Sequence, residues 1–375
     1  MKAKICYIVT VPITIRSFFI PQLRYLARNG FDVSVVCSKD DSLQEELGNE
    51  ITYHPIEMPR GISLFGSLKG VWYLYRYFRE ERFNLIQYST PNAAMYASIA
   101  GRLANIKVRN YHLMGFRYLG SRGISKYILK KMEIISCKNS THIECVSNSN
   151  FEIGVKEKIF EREKAVVVWN GSSGGVDLKR FDYCKRLQYR NEIRKKYDLL
   201  ESDFVFGFVG RITKDKGINE LLNAFVKIDN AKLLMVGEVE GISTLDQRLY
   251  SSSLRNPNIV YTGQVTDVER YYAAIDVLVL PSYREGFGNV VIEAAAMGAP
   301  AIVSDIPGPI DTVLKDVTAY TVLSKNIEDL FEKMNLIRVS NYKRMGMSAH
   351  DFVASCFDSE KLDEQILHRK LFLLK

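Results

Sequence analysis

Short runs of apolar, β-branched residues recur along the chain, and each is followed by a segment with helical spacing. In the first half, residues 4–10 (KICYIVT), 31–37 (FDVSVVC), 51–56, 84–88 (NLIQY), 108–112 and 141–146 read as strands. Residues 18–29, 67–82, 92–103 and 124–138 between them read as helices. The second half repeats the alternation. Strands are expected at 204–209 (FVFGFV), 232–236 (KLLMV), 259–261, 276–280 and 300–303, with helices over 217–226 and 267–274 and after Asn289. Strands that are apolar throughout and separated by helices form parallel sheets covered on both faces. The expected fold class is therefore α/β, with two doubly wound, Rossmann-like domains.

A chain of 375 residues has room for two such cores. The glycines of the run from Asn170 to Asp177 (NGSSGGVD) suit a linker, and the polar segment up to Asp203 could extend it. The expected division is an N-terminal domain over 1–172 and a second domain over 173–358. A last helical run, 359–375, is expected to return to the first domain across an interdomain cleft. No apolar run reaches the ~18 residues of a membrane-spanning helix. The N-terminal run fits a first strand better than a secretory leader. The six cysteines form no C-x-x-C pair, as in a reducing compartment, so a cytoplasmic location is expected.

Charge is uneven. Residues 1–175 carry 24 Lys and Arg against 15 Asp and Glu, whereas the remainder carries 27 against 28. Between Arg60 and Lys138 the ratio is 14 to 3. Such a patch suits an anionic lipid surface, a phosphorylated substrate or nucleic acid, and no recognisable nucleic-acid module accompanies it.

In a doubly wound sheet the ligand sits beyond the carboxyl ends of the strands. In the second half those ends carry Gly210-Arg211, Gly237-Glu238, Gly263 and the residues from Ser282 onward. The stretch LPSYREGFGNVVIEAAAMGAP, residues 280–300, is the densest of these. A strand stops at Pro281, and Glu285-Gly-Phe-Gly-Asn289 leads into an alanine-rich helix. Asn289 reads as its N-cap, and Gly298 and Pro300 mark its end. Backbone N–H groups at such a helix start, with the helix dipole, favour an anion. Arg211 offers a planar bidentate donor for phosphate oxygens, and Lys216 a mobile point charge. Walker-type and dinucleotide glycine fingerprints are missing, and no D-x-D or paired-histidine motif suggests a protein-bound metal. Glu285 and Glu293 are eight residues apart, ~12 Å if helical throughout, where glycosidase carboxylates need separations of about 5 to 10 Å. Beside an anion site they read instead as acceptors for hydroxyl groups.

These residues carry a resemblance. The E-x7-E spacing of Glu285 and Glu293 lies within PSYREGFGNVVIEAAAMGAPAIVSDIPG and resembles the signature of retaining GT-B glycosyltransferases of family GT4. That family includes bacterial capsule, O-antigen and lipid-linked oligosaccharide transferases. GR-x4-KG at 210–217, VGE at 236–238, TGQV at 262–265 and SDIPG at 304–308 follow in the family's order. The resemblance covers about residues 200–325 strongly. In the first half it rests mainly on Val146-Ser147 and the glycines from Gly171 to Gly175.

The resemblance implies that Arg211 and Lys216, beside Gly210, bind the pyrophosphate of a nucleotide-diphosphate sugar donor. Glu285 would bond sugar hydroxyls, and the amides of Gly286, Phe287, Gly288, Asn289 and Val290 would receive sugar and phosphate oxygens. Glu293 would hold the ribose, and Val265 with Glu238 would border the base. Front-face attack with retention would follow, with no cofactor and no metal. Two departures stand out. Residues 10–16, TVPITIR, have no glycine where many members carry a glycine-rich loop. The family's sugar-side histidine has its candidate in His112, with Gly115, Phe116 and Arg117 beside it.

The implied acceptor is a lipid-diphosphate-linked glycan. Aromatic and basic residues mixed over 72–79 (WYLYRYFR) and along 124–138 suit peripheral contact with an anionic membrane. Two other readings of the same residues are a catalytically silent scaffold subunit and a sugar-nucleotide epimerase of the same fold. The intact Arg211, Lys216, Glu285 and Glu293 set weighs against the first.

Overall fold

The computed structural model describes residues 2–59 and 64–375. Arg60, the first residue of the basic region, lies outside the described residues. Backbone contacts divide the chain into two units, 1–174 with 360–375, and 175–359. The division falls between Gly174 and Gly175, inside the glycine run.

In the first unit the strands are β1 (Ala3–Ile8), β2 (Phe31–Cys37), β3 (Ile51–Pro55), β4 (Leu85–Tyr88), β5 (Val108–Leu113), β6 (His142–Cys145) and β7 (Ala165–Val167). They pair in parallel in the order β3-β2-β1-β4-β5-β6-β7. Alternation along β1 shows why the sheet is buried on both faces. Cys6 and Ile8 join one core cluster with the helices Leu64–Glu81, Pro91–Leu103 and Gly123–Asn139, while Ile5 and Tyr7 join the other. That second cluster takes in Leu23, Leu26 and, from the C-terminal helix Ser359–Leu373, Leu373.

The expected helix over 18–29 is observed as Ile20–Arg28, and a further helix, Pro12–Phe18, precedes it. Phe19 breaks between them at φ −122°, and Pro12 and Pro21 each fall in a first turn. Proline lacks the N–H that a helix interior needs but suits a helix start. Residues 10–16, which lack the glycine of many family members, are therefore largely helical.

The second unit holds β8 (Phe204–Val209), β9 (Ala231–Val236), β10 (Ile259–Gly263), β11 (Val277–Leu280), β12 (Ala301–Ser304) and β13 (Ala319–Val322). Its parallel order is β10-β9-β8-β11-β12-β13. Renumbered from its first strand this is 3-2-1-4-5-6, the doubly wound dinucleotide-fold order. The polar segment before Asp203 is not a linker. Helix Arg186–Lys196 packs into the unit, where buried Arg194 donates to Asp276 Oδ2 at 2.9 Å and to the Ala274 carbonyl at 3.0 Å. Among the described residues no helix is long and apolar enough to cross a membrane.

Candidate functional site

In the second sheet the strand order reverses between β8 and β11, so the loops after those strands flank the switch point where open α/β sheets take ligands. Both loops are tied together. Lys216 Nζ lies 2.5 Å from Glu285 Oε1, and Ser282 Oγ donates to the same oxygen at 2.8 Å. The Tyr283 amide donates to the Asp215 carbonyl at 2.8 Å. The approach is close enough to require glycine: Gly217 has φ +73°, and a Cβ there would lie 2.1 Å from the Pro281 carbonyl oxygen.

The loop after β12 closes the third side. A Cβ on Gly308 would come within 2.9 Å of the Gly286 carbonyl, which explains glycine at the end of SDIPG. Helix Asn289–Ala296 starts from Gly288, at φ +105°, and Asn289 is its first residue. The expected N-cap role of Asn289 is corrected accordingly: no cap side chain bonds the first turn, and the left-handed residue belongs to Gly288. Gly286, Phe287, Gly288, Asn289 and Val290 thus wrap the N-terminus of an eight-residue helix, with Phe287 buried and Val290 half-buried.

Charge gathers around Asp215, a residue that motif spacing did not single out. Thr213 Oγ1 donates to its carboxylate at 2.6 Å, and Arg284 Nη2 stands 3.5 Å away. Burial by itself would raise the Asp215 carboxyl. The Thr213 hydrogen bond and the charges of Arg284, Arg211 and Lys216 hold it below the usual range. Arg211 follows Gly210 at the end of β8 but is exposed, and it pairs with Glu240 at 3.0 Å rather than with Glu285. Lys216 is the more enclosed of the two cations.

Glu293 belongs to a different group. The buried Tyr272 donates its hydroxyl to Glu293 Oε2 at 2.8 Å. Burial raises the Glu293 carboxyl above its usual value, against the Tyr272 hydrogen bond and the Arg180 charge. Arg180 in turn bonds Glu269 at 2.9 Å and the Thr266 carbonyl at 2.8 Å, next to half-buried Val265. Glu238, after β9, is exposed. The two glutamates of the E-x7-E spacing therefore have separate partners, Lys216 with Ser282 for one and Tyr272 for the other. Ser282 opens the motif stretch but was given no role there, and Tyr272 carried no motif signal. Their bonds to the glutamates are found only when β11 and the helix Val268–Ala274 are placed in space.

In the first unit His112 sits at the end of β5, buried, with Nε2 3.5 Å from Ser173 Oγ and its ring edge-on to Phe19. Burial lowers its pKa to about 4, so the imidazole is neutral at physiological pH. Gly171-Ser-Ser-Gly-Gly175 also has the G-x-S-x-G spacing of a hydrolase nucleophile turn. It leads into no helix, and Ser173 is buried, so the exposed hydroxyl of that motif is missing. None of the six cysteines, all among the described residues, forms a disulfide.

The architecture, two doubly wound sheets each with its own switch point, is that of the GT-B transferases. Solved structures share it at identities that bear on fold alone. A glycosyltransferase from Rickettsia africae ESF-5 superposes with a TM-score of 0.82 at 20% identity, covering 100% of this chain and 99% of that one. Anabaena HepE in complex with UDP gives 0.80 at 18%, covering 98% and 99%. The family profile described as Glycosyl transferases group 1 matches residues 189–349, and that described as Glycosyltransferase Family 4 matches 22–174. The capsular polysaccharide biosynthesis glycosyltransferase CapM of Staphylococcus aureus is 32% identical over 370 residues, 97% of this chain and 95% of CapM. An Escherichia coli UDP-Gal:alpha-D-GlcNAc-diphosphoundecaprenol alpha-1,3-galactosyltransferase is 25% identical, over 91% of this chain and 89% of its own length. The chain belongs to the family 4 glycosyltransferases.

Proposed function

We propose that the chain is a retaining, metal-independent glycosyltransferase that moves a sugar from a nucleotide-diphosphate donor to a lipid-diphosphate-linked glycan in bacterial surface polysaccharide synthesis. The observation that carries the reading is the Lys216–Glu285 pair at the β8/β11 switch point, with Glu293 on the helix that follows. Lys216 and Arg211 meet the donor diphosphate, aided by the helix start at Gly286, Phe287, Gly288, Asn289 and Val290. Glu285, steered by Ser282, accepts hydroxyl hydrogens of the sugar. Glu293, fixed by Tyr272, takes the ribose hydroxyls, and Val265 with Glu238 borders the base. The bond from the anomeric carbon to phosphate breaks as the acceptor oxygen adds to the same face. The acceptor proton passes to the departing diphosphate oxygen. Stabilising that leaving group is the main catalytic contribution, and two cations with backbone amides supply it. Neutral His112 on the first unit serves a sugar hydroxyl as a hydrogen-bond partner.

The membrane side of this reading rests on the first unit. Helices Leu64–Glu81, Pro91–Leu103 and Gly123–Asn139 lie side by side on one face of its sheet. They expose Leu68, Trp72, Tyr73, Leu103, Ile124, Tyr127 and Ile135. Arg76 lies 5.1 Å over Trp72, and Lys131 5.3 Å over Tyr127. The three acidic residues of the region are occupied: Glu80 pairs with Arg76, Glu81 with Lys4, and Glu133 is buried against Tyr111. An apolar and basic face of this kind suits the surface of an anionic bilayer. Vesicles with and without anionic lipid test it, and equal binding to both would remove the membrane from the proposal.

The donor half is tested by thermal shift against UDP-, GDP- and dTDP-sugars, because a ligand that binds only the folded state raises its melting temperature. One nucleotide class is expected to shift the protein, and Lys216→Ala to abolish the shift. No shift with any of them sinks the reading. Turnover of donor without acceptor would point to the epimerase instead. Added chelator leaves transfer unchanged if no metal takes part.

A further inference from the structure

The C-terminal helix carries a lysine into the interior of the first unit. Lys370 is 0% exposed, and its Nζ lies 2.7 Å from Glu144 Oε2 on β6 and 2.5 Å from Gln87 Oε1 on β4. Gln87 Oε1 also accepts from Asn110 on β5 at 2.9 Å. Glu144 stands directly opposite His112 in the β5–β6 register. Gln22, Gln87, His112, Glu144, Ser172 and Lys370 line one narrow cavity. A buried ion pair is weak evidence of stability, since well-packed apolar residues often replace one without loss. What the pair does for its neighbour is the better question.

We infer that Lys370 is a positioning residue for the His112 end of the site: by engaging Glu144 it denies the imidazole a counter-charge, so the ring meets substrate as an uncharged hydrogen-bonding group. This rests on the reading above that His112 touches the sugar. Lys370 and His112 compete for one carboxylate, that of Glu144. With Lys370 in place, Glu144 has a buried cation at hydrogen-bond distance, and Arg369 adds a second at 3.5 Å. Burial would raise the Glu144 carboxyl, but the charge and hydrogen bond of Lys370 bring it down to about 2. Without Lys370, a buried carboxylate would face His112 with one cation fewer, and the imidazole would be drawn to take up a proton.

The other ionisable groups nearby do not replace this control. Tyr7, on β1, is raised well above its usual value by burial and stays neutral. Cys145, next to Glu144 on β6, is likewise held as a thiol by burial. Asp363, about two turns back from Lys370 along the C-terminal helix, is raised by burial to about 7. The charges that act on the ring are those of Glu144, which favours the proton, and Lys370, which opposes it.

The test is a titration of His112 by NMR in the full chain, with its signal assigned by its loss in His112→Gln. In the native protein the ring should remain neutral down to about pH 5. In Lys370→Met its midpoint should rise by more than one pH unit, and kcat should fall as pH drops through the new midpoint while donor KM stays near native. Lys370→Met with Glu144→Gln, which removes both charges, should restore the neutral ring and the flat kcat profile. A folded Lys370→Met with an unmoved His112 midpoint overturns the inference, as does a double variant as impaired as the single one. If Lys370→Met does not fold, Glu144→Gln decides: a His112 that titrates higher there than in the native protein also overturns it. His112→Gln with native kcat would remove the substrate role of His112 while leaving the titration result standing, so the two failures are separable.

Discussion

The two sheets share one strand order, yet the loops at their switch points differ in kind. After β8 and β11 the chain places Lys216 against Glu285, two further arginines near Asp215, and glycines where the loops touch. After β1 and β4 it places Thr10 against Thr90, hydroxyl to hydroxyl at 2.8 Å, and turns at once into the helix Pro12–Phe18. Arg16, on that helix, is already taken. It bonds Asp40 at 2.8 and 2.9 Å and Glu46 at 2.6 and 2.7 Å. A phosphate would have to displace two carboxylates to reach it. Lys216 faces one carboxylate, at hydrogen-bond distance from a serine as well, and that carboxylate is itself assigned to the sugar. The same fold is thus armed in one unit and filled in the other, and function follows the loops.

Removing one cation from each unit gives the largest contrast. Lys216→Ala is expected to lower kcat by about 100-fold, the usual scale for losing one donor to a developing charge. Arg16→Ala should leave donor KM within about threefold of native, because its guanidinium serves Asp40 and Glu46. Equal losses in steady-state kinetics would erase the distinction between the two switch points. Glu293→Ala should cost at least about tenfold, chiefly in donor affinity, since its partner Tyr272 would be left facing an empty ribose position.

A smaller effect sharpens the comparison at the backbone. Gly217→Ala forces a left-handed residue and a 2.1 Å contact on Pro281, so the loops after β8 and β11 must part. Activity is expected to fall about tenfold. Gly48→Ala, also at positive φ but with nothing within 4 Å of the added carbon, should lower stability by about 1–3 kcal/mol through backbone strain and leave activity unchanged. If Gly217→Ala retained native kinetics, the contact between the loops would not be what sets the Lys216–Glu285 geometry.

How much of this was legible in the sequence depends on what produces each feature. Runs such as Phe31–Cys37 and Phe204–Val209 were read to the residue, because burial on both faces favours a mostly apolar stretch, broken in the first only by Asp32 and Ser34. Ala165–Val167 went unread because three residues carry no period, and Ala319–Val322 went unread as well, although four-residue strands such as Leu85–Tyr88 were found. The helix Pro12–Phe18 went unread, although Pro12 in its first turn is a helix-start signal. At the site, Lys216, Glu285 and Glu293 were visible through motif spacing. Their partners Ser282, Asp215 and Tyr272 were not, because contacts between separate loops leave no local pattern. Lys370 was the hardest: a lysine on a polar C-terminal helix reads as solvated, and only the tertiary fold buries it.

The smallest expected effect concerns pH, and it separates the units by stability rather than rate. Glu133, in the first unit, is buried against the Tyr111 hydroxyl at 2.7 Å, and burial pushes its carboxyl up to about 7 despite that bond. Asp363, in the same unit, is raised to about 7 by burial and the neighbouring Glu360 charge. A free carboxyl releases its proton near pH 4, so between about 4 and 7 the folded state binds more protons than the unfolded chain. Glu133 and Asp363 then lower the stability of the first unit as pH rises through that window, while His112, whose pKa burial lowers, and Glu144, which despite burial Lys370 holds low, contribute with the opposite sign. In the second unit the contribution of Asp215, which is lowered, is present above the unfolded carboxylate value and lost as pH falls through the lower folded one, whereas the raised Glu293 acts in the same sense as Glu133. Melting curves at pH 5 and pH 8 should show the first unit losing a few degrees at the higher pH. Glu133→Gln should recover part of that loss at pH 8 and little at pH 5, because at pH 5 the native carboxyl is already protonated. A Glu133→Gln variant that melts at the native temperature at pH 8 would mean that Glu133 is solvated when ionised.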